Sequence, residues 1–176
     1  MQINNMINLK DILRHVQNFP KDGIDFVDIT PVLKDADAFK YAIDCFISEI
    51  KDIDFDFIVG SESRGFILGT PIAYALNKGF IPIRKRGKLP YKTISVEYEL
   101  EYGADILEMH IDAVEPGQKV VIIDDLLATG GTVDSNIKLI EKLGGTVQKL
   151  AFLVELMDLG ARKRLSNYEI CSLIKI

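Results

Sequence analysis

The chain has 176 residues, 48% of them hydrophobic and 27% charged, which is long and apolar enough for one domain whose core folds unaided. Its 21 basic and 26 acidic residues leave a net charge of -5. That balance argues against nucleic acid or an anionic membrane as a partner, so any bound anion must be held by a local site.

The N-terminal "MQINNMINLKD" has no basic start followed by an apolar run, and no stretch reaches the length of a membrane span; both point to an unexported, cytoplasmic protein. Leu9, Ile12, Leu13 and Val16 fall at helical spacing, and Pro20 ends the pattern, which predicts a first amphipathic helix carrying His15. A loop follows, "NFPKDGIDFVDITPVL". Phe39, Ala42, Ile43, Phe46, Ile47 and Ile50 form the apolar face of a second helix. "DFIVG" reads as a short buried strand, "ESRGFILGTPIAYALNKG" as a loop and a helix ended by Gly79, and "FIPIRK" as the next strand, which makes a β-α-β unit.

From Arg84 to Gly103 a basic and then Tyr/Glu-rich stretch alternates as a hairpin does, and "DILEMH" continues as a strand ending at His110. "KVVIIDD" is apolar on both faces, as a central parallel strand must be, and "TVDSNIKLIEKLGG" is an amphipathic helix stopped by Gly144 and Gly145. "TVQKLAFLVEL" and "YEICSLIKI" complete the strands. With no repeat or linker, this alternation predicts a single domain over residues 1–176: an α/β, doubly wound, mostly parallel sheet flanked by helices. Ligands should bind outside the carboxyl ends of its strands. Met109 and Met157 read as core or near-core fillers. Cys45 and Cys171, far apart and without a CxxC or a His-Cys cluster, read as buried, reduced thiols.

Two strand-loop-helix junctions carry the chemistry, "VGSESRG" and "IDDLLATGGT", and the topology puts both on one edge of the sheet. In the second, Gly130 and Gly131 let the backbone curl around a ligand, Thr129 and Thr132 offer hydroxyls, and the next helix aims its N-terminus at the loop. Asp124 and Asp125 just ahead would repel a bare phosphate. A sugar phosphate uses both halves, its vicinal hydroxyls donating to the carboxylates while its phosphate rests in the glycine loop. The alternative is a strand end whose acids only cap the following helix.

"VVIIDDLLATGGT" resembles the phosphoribosyl pyrophosphate (PRPP) binding motif of the type I phosphoribosyltransferases. "FPKDGIDFVDITPVL", "SESRGF", "RKRGKLP", "YELEYG" and "LVEL" follow the order found in the adenine-using members of that family, so the resemblance spans nearly the whole chain. It implies a small N-terminal hood over about residues 1–35 and a flexible catalytic loop over about 86–103. The implied reaction is transfer of the 5-phosphoribosyl group from PRPP to adenine, giving AMP and pyrophosphate through an oxocarbenium-like transition state. The alternatives are transfer to another purine base and a non-catalytic PRPP sensor.

On the family pattern Asp124 and Asp125 hold the ribose hydroxyls and set negative charge near the cationic sugar, and Ala128, Thr129, Gly130, Gly131 and Thr132 bind the 5-phosphate. Ser63, Arg64, Arg84, Lys85 and Lys88 meet the pyrophosphate, some basic groups reaching across a homodimer interface. Mg²⁺ is the implied cofactor, held by PRPP and water with no direct protein ligand. Glu101, beside Tyr102, is the acid/base partner of purine N7. An edge-strand glutamate and a solvated charge run are the plain alternatives for Glu101 and for the basic stretch.

The base falls to the hood, with Phe26 on one purine face and Leu156 on the other, and the backbone around Ile24, Asp25 and Val27 reading the 6-amino edge. Here the sequence departs from the family, since Asp25 replaces an apolar or neutral residue and Val27 a basic one. An Asp25 carboxylate would accept from a 6-amino group and oppose a 6-oxo group, which favours adenine.

Overall fold

A computed structural model describes residues 7–100 and 103–176. The chain divides into two compact units, Met1–Cys45 and Phe46–Ile176.

In the first unit, helix α1 spans only Leu9–Ile12, with Asn8 capping it by accepting from the Lys10 N–H. Leu13 is already extended, and Arg14–Gln17 form strand β1, antiparallel to β2, Asp25–Asp28. The predicted helix through Val16 is therefore one turn long, and His15 lies on a strand. The helical spacing of four apolar residues loses to a hairpin whose second strand lies beyond a loop, a long-range choice that local periodicity does not register. The predicted loop after Pro20 likewise holds β2 and a short helix α2, Thr30–Lys34, whose first turn is organised by Asp28 accepting from the Thr30 N–H and hydroxyl at 2.9 and 2.7 Å. Helix α3, Ala36–Ile50, follows as its apolar spacing predicts and runs through the division between the units.

The second unit is built on a seven-stranded sheet in the order β5-β6-β4-β3-β7-β8-β9. Its strands are β3 (Phe57–Ser61), β4 (Gly79–Lys85), β5 (Thr93–Leu100), β6 (Gly103–His110), β7 (Lys119–Leu127), β8 (Thr146–Glu155) and β9 (Ile170–Lys175). β4, β3, β7, β8 and β9 run parallel, while β6 and β5 pair antiparallel at one edge, so the hairpin joins the stretch before Gly103 to the DILEMH strand and does not lie within Arg84 to Gly103. Helix α4, Arg64–Ala75, joins β3 to β4, and α5, Gly131–Lys142, joins β7 to β8. Successive strand residues point to opposite faces. Val59, Ile81, Val120 and Ile122 accordingly share one core cluster with Val133, Ile137 and Ile140 of α5, whereas Ile58 and Phe80 lie against Gly69 of α4. Both faces of β7 are thus covered, and Val120 to Ile123 are fully buried.

Some local expectations change. α4 stops at Ala75, Asn77 takes a left-handed φ of 53°, and Gly79 opens β4 instead, where a Cβ would lie 2.8 Å from the Phe57 ring. Met109 is buried, but Met157 starts a 3-10 turn and is 46% exposed, so it fills no core. The two cysteines form no disulfide and are half-buried, not fully buried; burial raises the Cys171 thiol to about 11, with Glu49 adding to it. Among the described residues no helix is long and apolar enough to cross a membrane.

Candidate active site

A cavity of about 420 Å³ opens at the carboxyl ends of β3 and β7, which are adjacent and parallel. The two junctions singled out in the sequence both line it, Ser61 to Arg64 from β3 and Asp124 to Val133 from β7, together with Lys85 at the end of β4 and Tyr98 on β5. Their approach depends on glycine. A Cβ on Gly65 would meet Asp124 Oδ1 at 3.0 Å and the Ile123 carbonyl at 3.1 Å, so a side chain there would wedge the two loops apart.

At the end of β7, Asp124 accepts from the backbone N–H of Asp125 at 3.0 Å. Burial, and then the neighbouring Asp125 carboxylate, push Asp124 well above the ordinary carboxylate range. Asp125, 7% exposed, accepts instead from Arg64 Nε at the start of α4. The two adjacent acids are therefore distinguished by their surroundings, one burdened by burial and one neutralised. Beyond them the chain turns at Gly130, φ 82°, into α5, where the first-turn N–H groups and the helix dipole favour an anion. Asn136 of α5 is fully buried and donates to Ser61 Oγ at 2.6 Å, tying α5 to the end of β3 behind the cavity.

Each of three cations expected at the pyrophosphate is held by a carboxylate. Arg64 pairs with Asp125, Arg84 Nε donates to Glu62 at 2.8 Å, and Lys85 Nζ lies 2.8 Å from Asp105. The last pair raises Lys85 and lowers Asp105. The Tyr98 hydroxyl lies 3.5 Å from the same Asp105 oxygen, and burial above all raises its phenol, keeping it a donor. An arriving polyanion thus meets donors already positioned, although it must compete with their carboxylates.

Of the residues read from the sequence, Ser63, Arg64, Lys85, Asp124, Asp125, Ala128, Thr129, Gly130, Gly131 and Thr132 line one cavity. Arg84, Arg86 and Lys88 do not, though Arg84 is one contact away through Glu62 and donates a second bond to the Lys88 carbonyl at 3.1 Å. Glu101 and Tyr102 lie outside the described residues. Leu156 directly follows β8, and its N–H donates to the Leu127 carbonyl at 2.9 Å, just ahead of the glycine loop. Glu62, Tyr98 and Asp105 were missed. Glu62 stood inside a motif already marked, whereas Asp105 had no signal, since only strand register brings it to Lys85.

In the first unit, Ile24 is exposed, Phe26 half-buried and Val27 buried. Phe26 stacks edge-on with Phe19, centroids 5.2 Å apart. The Asp25 carboxylate is engaged by His15 Nδ1 at 2.8 Å. In the hairpin register His15 and Val27 share a face with Asp25, and Phe26 takes the other. The Phe26 ring and the Asp25 carboxylate therefore leave β2 on opposite faces.

For a divalent cation the cavity offers hard oxygen donors, of which Asp125 is already committed to Arg64. No group of three or more acidic, His or Cys side chains able to hold a metal occurs among the described residues. The hydroxyls of Ser63, Thr129 and Thr132 and the Asp124 carboxylate are hard oxygens of the kind such an ion takes.

Residues 32–175 match the family model described as the phosphoribosyl transferase domain. The chain is 68% identical over 169 residues to the adenine phosphoribosyltransferase of Caldicellulosiruptor saccharolyticus, covering 96% of this chain and 97% of that one. The crystal structure of adenine phosphoribosyltransferase from Thermoanaerobacter pseudethanolicus superposes with a TM-score of 0.93 at 55% identity, over 96% of this chain and 98% of the other. The Saccharomyces cerevisiae adenine phosphoribosyltransferase, complexed with an imino-altritol bisphosphate and adenine, superposes with a TM-score of 0.88 at 38% identity, over 94% and 96%.

Proposed function

The chain belongs to the phosphoribosyl transferase family, and from that membership we infer that it transfers the 5-phosphoribosyl group of PRPP to adenine, forming AMP and pyrophosphate in purine salvage. The observation that carries the reading is the single cavity in which the paired acids, the glycine loop, Arg64 and Lys85 meet. Its dimensions and polarity suit a sugar carrying phosphate at both ends.

In this reading the Ala128–Thr132 loop and the N-terminus of α5 take the 5-phosphate. Asp124 and Asp125 accept from the ribose hydroxyls and place negative charge beside C1′ as it becomes cationic. Arg64 and Lys85 receive the leaving pyrophosphate, with Arg84, Lys88 and Ser63 around them. When bound, Mg²⁺ would neutralise pyrophosphate charge from a position held mainly by substrate oxygens and water. Glu101 accepts the N7 proton, which makes N9 the better nucleophile. C1′–N9 forms as C1′–O breaks, and the electron pair leaves with pyrophosphate. Phe26 stacks on the base, and the backbone at Ile24, Asp25 and Val27 reads its edge. We further infer a cytoplasmic homodimer made of single phosphoribosyltransferase domains, a reading supported by the family pattern.

Initial rates of pyrophosphate release from PRPP and Mg²⁺ with adenine, hypoxanthine, guanine, xanthine or no base test this. Turnover confined to adenine is expected. Preference for a 6-oxopurine would overturn the base, and PRPP binding without turnover on any base would favour a sensor.

A further inference from the structure

Between β8 and β9 the chain forms a four-residue helix, α6, Ala161–Arg164, which no sequence signal marked. Ala161 and Leu165 are buried at 3% and 1% exposure, in the same core cluster as Leu127 and Val133 on either side of the glycine loop. They seat α6 against that loop: a Cβ on Gly130 would lie 3.3 Å from Leu165 Cδ1 and 3.5 Å from Ala161 Cβ. The same Cβ would lie 3.6 Å from Arg164 Cδ, and one on Gly131 would lie 3.4 Å from Arg164 Nη1. The Arg164 side chain therefore runs along Gly130 and ends with its guanidinium on Gly131, the first residue of α5.

Two features make this position informative. Arg162 is clamped by the buried Glu155 through two bonds, Nε to Oε1 at 2.6 Å and Nη2 to Oε2 at 2.8 Å, which fixes α6 to the end of β8. Arg164 has no such partner, since among the described residues its guanidinium is in no ion pair. Asp134, the acid in the first turn of α5, is taken by Lys138 at 2.8 Å. A cation at the positive end of a helix dipole is unfavourably placed unless an anion joins it. Arg64, Arg84 and Lys85 all have carboxylate partners, so Arg164 is a cation beside the loop whose charge remains uncommitted.

We propose that Arg164 is a further binding residue of the 5-phosphate subsite, its guanidinium at Gly131 supplying from outside the glycine loop the positive charge that a sugar 5-phosphate dianion draws on. The proposal rests on the phosphoribosyl reading above. Arg164 is exposed, so its contribution is modest and screened by salt. It acts on the 5-phosphate and not on the pyrophosphate, because the contacts that seat α6 are with the glycine loop after β7.

The test is equilibrium binding of ribose 5-phosphate and, separately, of Mg²⁺ pyrophosphate to the wild-type protein, Arg164→Gln and Arg164→Lys. The glutamine variant keeps most of the length and packing but loses the charge. It is expected to raise the Kd for ribose 5-phosphate by about three- to tenfold at low ionic strength, an effect that shrinks as salt is added. Pyrophosphate affinity should stay unchanged, and the lysine variant should bind ribose 5-phosphate within about twofold of wild type. Unchanged ribose 5-phosphate binding in Arg164→Gln, or equal loss of both ligands, would overturn the role of Arg164 alone. Failure of the wild-type protein to bind ribose 5-phosphate would overturn the phosphoribosyl reading itself.

Discussion

Asp25 and Phe26 are neighbours on β2, yet their side chains leave the hairpin on opposite faces, Asp25 to His15 and Phe26 to Phe19. A planar base stacked on Phe26 is thereby separated from the carboxylate that would seem, from sequence, best suited to its amino group. In the proposed reading, base discrimination then falls to backbone groups of β2.

Replacing Phe26 with Ala should raise the KM for adenine by about tenfold or more, the loss of one stacked aromatic surface. Asp25→Asn should change it by less than about threefold and leave the preference for adenine over hypoxanthine intact. Steady-state kinetics with both bases checks the pair. A large loss of adenine selectivity in Asp25→Asn would restore the carboxylate to the base.

Asp124→Asn should separate function from stability. Burial raises the carboxyl of Asp124 in the folded state above its unfolded value, so the folded protein binds the proton more tightly and the charged form is destabilising. That cost is absent below the unfolded carboxylate pKa of about 3.9, grows as pH rises from there towards the folded value, and stays constant above it. Asparagine keeps the acceptor for the Asp125 N–H without the charge. Thermal scans should therefore show the variant more stable at neutral pH, by at least roughly 2 °C if about 1 kcal/mol is relieved. The gain should vanish near pH 4, while PRPP turnover is nearly abolished. An unchanged rate would remove the ribose assignment.

Arg64→Ala should do the reverse, since it leaves Asp125 buried without its counter-ion. Because Arg64 is itself half-exposed, the expected cost is about 1–2 kcal/mol, below that of a fully buried pair. Pyrophosphate binding should weaken at the same time. Denaturant unfolding and pyrophosphate titration measure the two effects, and the double variant Arg64→Ala with Asp125→Asn should recover stability without recovering binding.

Glu101→Ala should lower kcat by roughly a hundredfold or more while changing PRPP affinity little, the pattern of a group acting only in the transition state. Single-turnover rates together with PRPP titration distinguish this from a structural role, in which both quantities would fall together.

Gly65→Ala is a steric test of the junction. The added methyl would stand 3.0 Å from Asp124 Oδ1 and 3.1 Å from the Ile123 carbonyl. Since these are a ligand-facing acid and rigid backbone, turnover should fall by about tenfold or more with the fold retained, which circular dichroism and kinetics together establish.

The sequence by itself determined the chain of β-α-β units, the central place of β7 and the residues of the glycine loop. These follow from local information: a run apolar on both faces must be buried on both, and Thr-Gly-Gly-Thr after a strand leaves few other conformations. What lies between distant segments was decided only by the tertiary structure. The first helix gave way to a hairpin because β2 supplied hydrogen-bond partners that periodicity does not see. Lys85 found Asp105, and Arg64 found Asp125, through strand register and the close approach at Gly65. Arg164 reached the glycine loop through a four-residue helix too short to leave a pattern. Charge pairing acts through space, and only the folded chain brings such partners within reach of one another.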